Sequence, residues 1–98
     1  MLRDFFLGFI KIHILHHAAK EPVYGLWLIE ELGRHGYKLS PGTLYPILHK
    51  LEKENLLKSF SENFGGKIRK YYSTTPKGIK ALTKIKEKIN ELVGEVME

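Results

Sequence analysis

The sequence predicts a mainly α-helical domain with one small β-hairpin, and three observations carry that expectation. Apolar residues recur at helical spacing in four separate stretches, and the period changes to alternation only between about residues 56 and 73. Gly, Asn or Pro punctuates the changes of pattern. With 98 residues, 43% of them hydrophobic, residues 1–98 read as a single domain around one core. A domain of this size is only marginally stable alone. No cysteine is present, which excludes disulfides and thiolate metal sites and suits a reducing cytoplasm. No apolar run reaches the ~18–20 residues of a membrane span. The N-terminal apolar segment carries Lys11, His13, His16 and His17, unlike a signal peptide. A cytoplasmic protein without a membrane partner is expected.

A first helix is predicted over residues 2–19. Leu2, Phe5, Phe6, Phe9, Ile10, Ile12, Ile14 and Leu15 leave it almost no polar face. A helix apolar nearly all round must be covered on more than one side, and a domain this small covers only one. A second copy of the chain is the expected cover. Glu21-Pro22 ends the helix, because proline disfavours helical geometry at the residue before it.

A second helix follows over residues 24–35, with Leu28, Ile29 and Leu32 inward and Glu30, Glu31 and Arg34 outward. Gly25, one turn into it, marks a close-packing position, and Trp27 reads as core or interface. Gly36 closes the helix in left-handed geometry.

The third helix, residues 41–54, is the stretch that the others serve. Ser40 can supply the N-cap oxygen and Pro41 suits the first helical position. Leu44, Ile47, Leu48 and Leu51 make one apolar stripe. The opposite face carries Gly42, Tyr45, Pro46, His49 and Lys53, bordered by Thr43 and Lys50, and holds no acid. Pro46 is expected to distort the first turn by crowding the Gly42 carbonyl. Asn55, tolerant of a left-handed cap, is the stop.

Residues 56–73 form the hairpin, with Asn63-Phe64-Gly65-Gly66 as its turn. Its return strand, KIRKYYS, exposes Lys67, Arg69 and either Lys70 or Tyr71, depending on register. Thr75-Pro76 then repeats the cap logic of Ser40-Pro41 and starts a last helix, residues 76–97. Leu82, Ile85, Ile89, Leu92 and Val96 are spaced 3, 4, 3, 4, a seam of two heptads. Packed with Phe5, Phe6 and Phe9 of a second copy, that seam is the expected dimerisation surface.

Charge divides unevenly along the chain. Arg34 to Lys80 holds ten Lys or Arg against three acids, whereas the remainder is slightly acidic and the whole carries +5. Such a concentrated basic region is the electrostatic footprint of polyanion binding. His13, His16 and His17 approach a zinc-binding spacing on a helix. No neighbouring Asp, Glu or Cys in sequence completes a ligand set, so neither metal nor cofactor is expected. No nucleophile–base pattern or phosphate-binding Gly loop is present, which argues against an enzyme.

The order helix, helix, turn, helix, hairpin, helix is that of a winged helix-turn-helix with N- and C-terminal dimerisation helices. In detail the sequence resembles the PadR-like transcriptional regulators, from Leu2 to about Leu82. The marks are Leu15 with Pro22, the pair Tyr24-Gly25, the run LSPGTLYPILHKLEKENLL (Leu39 to Leu57) and the run GGKIRKYYSTTPKG (Gly65 to Gly78). Asn55 stands where that pattern usually has Gly, and Thr74 where it has Leu.

The resemblance implies a homodimeric DNA-binding repressor whose third helix enters the major groove of double-stranded operator DNA. By position, Ser40, Gly42, Thr43, Tyr45, His49 and Lys50 are its reading candidates, with Lys53 added from the outer face. Lys67, Arg69 and Lys70 of the wing are expected to touch the backbone or minor groove. The chain resembles the short subgroup, and the resemblance also implies a small hydrophobic ligand at the dimer interface as a candidate effector. The alternative is a winged helix used only for protein interaction, which has no need of the central basic excess.

Overall fold

The computed structural model describes residues 1–98, in the order α1 (Leu2–Lys20), β1 (Val23–Tyr24), α2 (Gly25–Arg34), α3 (Pro41–Lys53), β2 (Leu57–Phe64), β3 (Lys67–Thr74) and α4 (Pro76–Val96). The predicted helices and hairpin are all present, with ends within a residue or so of the expected ones. One element was not foreseen. Val23-Tyr24 is a two-residue strand that pairs antiparallel with Tyr72 and Tyr71, making a three-stranded sheet of order β1-β3-β2. Two residues are too few to show alternation, so Tyr24 reads as helical in sequence although it is extended and precedes α2.

α2 and α3 end alike. At the end of α2 the Tyr37 amide donates to Leu32 and that of Gly36 to Gly33, with Gly36 at φ +88°. At the end of α3 the Leu56 amide donates to Leu51 and that of Asn55 to Glu52, with Asn55 at φ +68°. Both are Schellman caps, which satisfy the last carbonyls and turn the chain sharply. The hairpin is tighter than predicted. Phe64 pairs with Lys67, so only Gly65 and Gly66 form the loop, at φ +52° and +88°. Two positive φ values define the I′ turn that matches strand twist.

One expectation about α3, the Ser40 side-chain cap, needs correction. Pro46 lies within the helix, which runs unbroken from Pro41 to Lys53. Its missing amide deprives only the Gly42 carbonyl, on the solvent-exposed first turn. Ser40 is the N-cap residue, but its hydroxyl lies 3.3 Å from the Thr43 hydroxyl and accepts from no amide. The Ser40 carbonyl instead accepts from both Thr43 and Leu44. Thr75 caps α4 as expected, its Oγ1 accepting from the Gly78 amide at 3.0 Å.

The core draws on every element. Ile10, Ile14, Leu15 and Ala18 of α1 meet Leu28 and Leu32 of α2, the α3 stripe, Leu57 and Tyr72 of the sheet, and Leu82 of α4. Beyond Leu82, only Ile85 of α4 is even half-buried. Leu82, expected at a dimer seam, therefore belongs to the core of its own chain.

The joint between α3, the wing and α4 is tightly closed. The Thr75 amide donates to the Leu56 carbonyl at 3.0 Å, and Thr75 Oγ1 donates to the Asn55 carbonyl at 2.6 Å. Lys77 Nζ adds a bond to the Glu54 carbonyl at 3.0 Å. Gly78 lies so close that a Cβ there would collide with the Leu56 carbonyl oxygen and the Thr74 methyl. Gly78→Ala should therefore lower stability by ~1–3 kcal/mol in urea denaturation. Gly33→Ala, with open space around it in α2, should stabilise by up to ~1 kcal/mol in the same assay.

Candidate nucleic-acid interface

The inward stripe Leu44, Ile47, Leu48 and Leu51 fixes the rotation of α3 and turns its other face to solvent. Ser40, Gly42, Thr43, Tyr45, His49, Lys50 and Lys53 are all exposed. They are not equally free. The Tyr45 ring packs over Gly25 at the start of α2, where any Cβ would strike its hydroxyl. This explains the small residue at Gly25, which opens α2 rather than sitting a turn inside it. Tyr45 thus braces α2 against α3.

Strand alternation sorts the wing. Leu57, Ser59, Lys70 and Tyr72 share the face turned towards α3, since Leu57 and Tyr72 are fully buried there. Glu52, on the flank of α3, accepts from Ser59 Oγ at 2.5 Å and lies 4.0 Å from Lys70 Nζ. Lys70 is consequently tethered to the helix rather than held out as a free cation. Arg69 lies on the other face, with its guanidinium 4.1 Å from the Tyr24 ring centre and 5.5 Å from that of Phe64. Stacking of this kind holds an arginine extended along the sheet surface. Lys67, beside the turn, makes no ion pair. The structure thus joins α3 and the wing in one braced unit, through Glu52, Tyr24 and Tyr45. Sequence reading missed Glu52 and Tyr24. The signal for Tyr24 was its place between Pro22 and Gly25, which suits an extended residue better than a helical one.

A second exposed region lies at the other end. Phe5, Phe6 and Phe9 of α1 and Ile89, Leu92, Val93 and Val96 of α4 are large apolar side chains open to solvent. Between the two helices runs a groove of about 680 Å³, with Phe9, Ile12, Leu82, Ile89, Leu92 and Val96 among its walls.

The histidines of α1 do not stand alone, contrary to the sequence reading. Glu31, expected to point outward, has a side chain only 14% exposed and faces α1. Its Oε2 lies 3.5 Å from His17 Nε2 and 3.2 Å from His35 Nε2. Burial, and then the charge of neighbouring His35 and His17, push His13 below the usual histidine range. Burial does the same for His17 against the opposing pull of Glu31, and for His16, where Lys20 adds to it.

The model of the transcriptional regulator PadR-like family matches residues 14–84. The chain belongs to the PadR-like family of transcriptional regulators. It is 48% identical over 96 residues to the transcriptional regulator Rv3488 of Mycobacterium tuberculosis, covering 98% of this chain and 90% of that one. A PadR family regulator from Eggerthella lenta superposes with a TM-score of 0.83 at 35% identity, covering 100% of this chain and 89% of the other. A PadR-like regulator from Bacillus cereus gives 0.78 at 31% identity, with 93% of each chain covered. PadR-like proteins are regulators and not enzymes, in keeping with the absence of a catalytic pattern. No helix is long and apolar enough to cross a membrane.

The depressed histidines make stability depend on pH. Below their ordinary value of 6.5 the unfolded chain takes up protons that folded His13, His16 and His17 resist. Stability conferred by the neutral rings is therefore present above that value and is lost as pH falls towards the lower folded values. The melting temperature should drop between about pH 7 and about pH 5, and His13→Asn with His17→Asn should flatten that slope.

Proposed function

We propose that this PadR-like chain is a sequence-specific DNA-binding repressor that acts as a homodimer. The observation that carries the reading is the braced pairing of an acid-free α3 face with a wing that presents Lys67 and Arg69 on the same unit. An α-helix fits the major groove, and phosphate contacts from a wing set its register. Thr43, His49 and Lys50 are the side chains placed to read base edges, with Ser40, Gly42 and Lys53 close to the backbone. The apolar faces of α1 and α4 support dimerisation, since so much contiguous apolar surface is unusual on a lone domain. Two copies paired there would set their α3 helices on half-sites about one helical turn apart, ~34–36 Å. The apolar walls of the groove suit a small hydrophobic effector wherever the partner leaves them uncovered.

Fluorescence anisotropy with labelled DNA from upstream of the gene tests the reading. Affinity should fall linearly in log salt, with a slope of about −0.9 per phosphate neutralised. Lys67→Ala or Arg69→Ala should weaken all sequences and flatten that slope by about one unit, whereas His49→Ala should cost ~1–3 kcal/mol on the operator alone. A chain with no salt-dependent duplex binding would be a protein-interaction module instead. For the dimer, sedimentation should show two copies per particle, and Leu92→Glu with Val96→Glu should give monomers.

A further inference from the structure

The geometry points to a binding site for a divalent transition-metal ion between α1 and α2, formed by His13, His17, His35 and Glu31. Nitrogens of the three histidines all lie within 4.8 Å of one another. The fourth donor, Glu31 Oε2, is 3.5 Å from His17 Nε2 and 3.2 Å from His35 Nε2. A tetrahedral ion with bonds of ~2.0–2.1 Å holds its donors about 3.3–3.4 Å apart, so two edges of the tetrahedron already have their length. Helical spacing supplies the rest of the logic. His13 and His17 are four residues apart on α1, and Glu31 of α2 is four residues before His35, the C-cap of that helix, so each helix and its cap offer a pair of donors on one side.

The donor set specifies the ion class. Three imidazoles and one carboxylate suit Zn²⁺ and its late first-row neighbours, whereas Mg²⁺ and Ca²⁺ take oxygen cages and softer ions prefer thiolates. The rings of His13 and His35 lie face to face, 4.6 Å between centres, so one must turn about χ2 to aim its nitrogen at the ion. That torsion is soft for imidazole. Burial favours neutral His13 and His17, the form that ligates, with the charge of His35 adding to it and Glu31 opposing it. His35 is half exposed, leaving a path from solvent. His16 lies outside the set. With no ion bound, Glu31 shares a hydrogen bond with His35 and lies 3.5 Å from His17, and a purely structural polar contact is the outcome the test must separate.

The untagged full chain, stripped with EDTA, is titrated with Zn²⁺ alone against a chromogenic chelator, and its melting is followed in parallel. One ion per chain and a raised melting temperature are expected. His35→Ala and Glu31→Gln should each weaken binding by about tenfold or more, while His16→Ala leaves it unchanged. Co²⁺ in the unaltered chain should give the intense visible absorption of a tetrahedral ion, a readout that does not depend on any variant folding. Absence of uptake, uptake that survives both substitutions, or a weak octahedral Co²⁺ spectrum would overturn the site.

Discussion

The arrangement depends most on the joint where the Leu56 carbonyl accepts the Thr75 amide and Gly78 closes over it. Three parts with different tasks meet there. α3 ends in the left-handed Asn55, the wing returns through Thr74, and α4 starts at Pro76. Each of these termini would otherwise leave backbone groups without partners, and here one end satisfies the next. Thr74 extends the joint to α1 by donating to the Leu15 carbonyl at 2.7 Å. The angle between α3, the wing and α4 is thereby set by short hydrogen bonds rather than by side-chain packing alone.

A regulator built this way has a stiff head and an incomplete body. Glu52 ties Ser59 and Lys70 of the wing to α3, and Tyr45 closes over Gly25. Rigid placement matters for binding, because a wing free to swing would lose entropy on every contact it made. The body is the reverse. α4 projects past the core, with the molecule 53 Å in its longest dimension and 28 Å in the next, and its apolar residues beyond Ile85 are exposed. The histidine cluster lies between the two regions. It joins α1, a wall of the open groove, to the last turn of α2, immediately before the Gly36 turn that leads to α3.

How much was legible in sequence depended on the range of the interactions involved. The α3 stripe was legible because Leu44, Ile47, Leu48 and Leu51 repeat with the helix itself. Asn55 and Gly36 were legible because positive φ restricts residue type at a single position. Thr75 was legible from a cap three residues long. β1 was not, since a two-residue strand exists only through its partners on β3. Ser40 shows the opposite failure, a local rule that a neighbouring hydroxyl overrode. Glu31 was misread because it follows the polar period of α2, and only the approach of α1 turns that position inward.

The sequence by itself determined the order of the helices and the hairpin, the buried face of α3, the basic wing and the family, because these rest on local periodicity, single-residue backbone preferences and long motif runs. Only the tertiary structure decided that Lys70 is tethered while Arg69 is stacked, that Tyr45 braces as well as faces outward, and that Leu82 belongs to the core. It alone brought Glu31 and His35 to His13 and His17. Each of these depends on which faces of distant segments meet, and that is set by the packing of one shared core rather than by any stretch of chain.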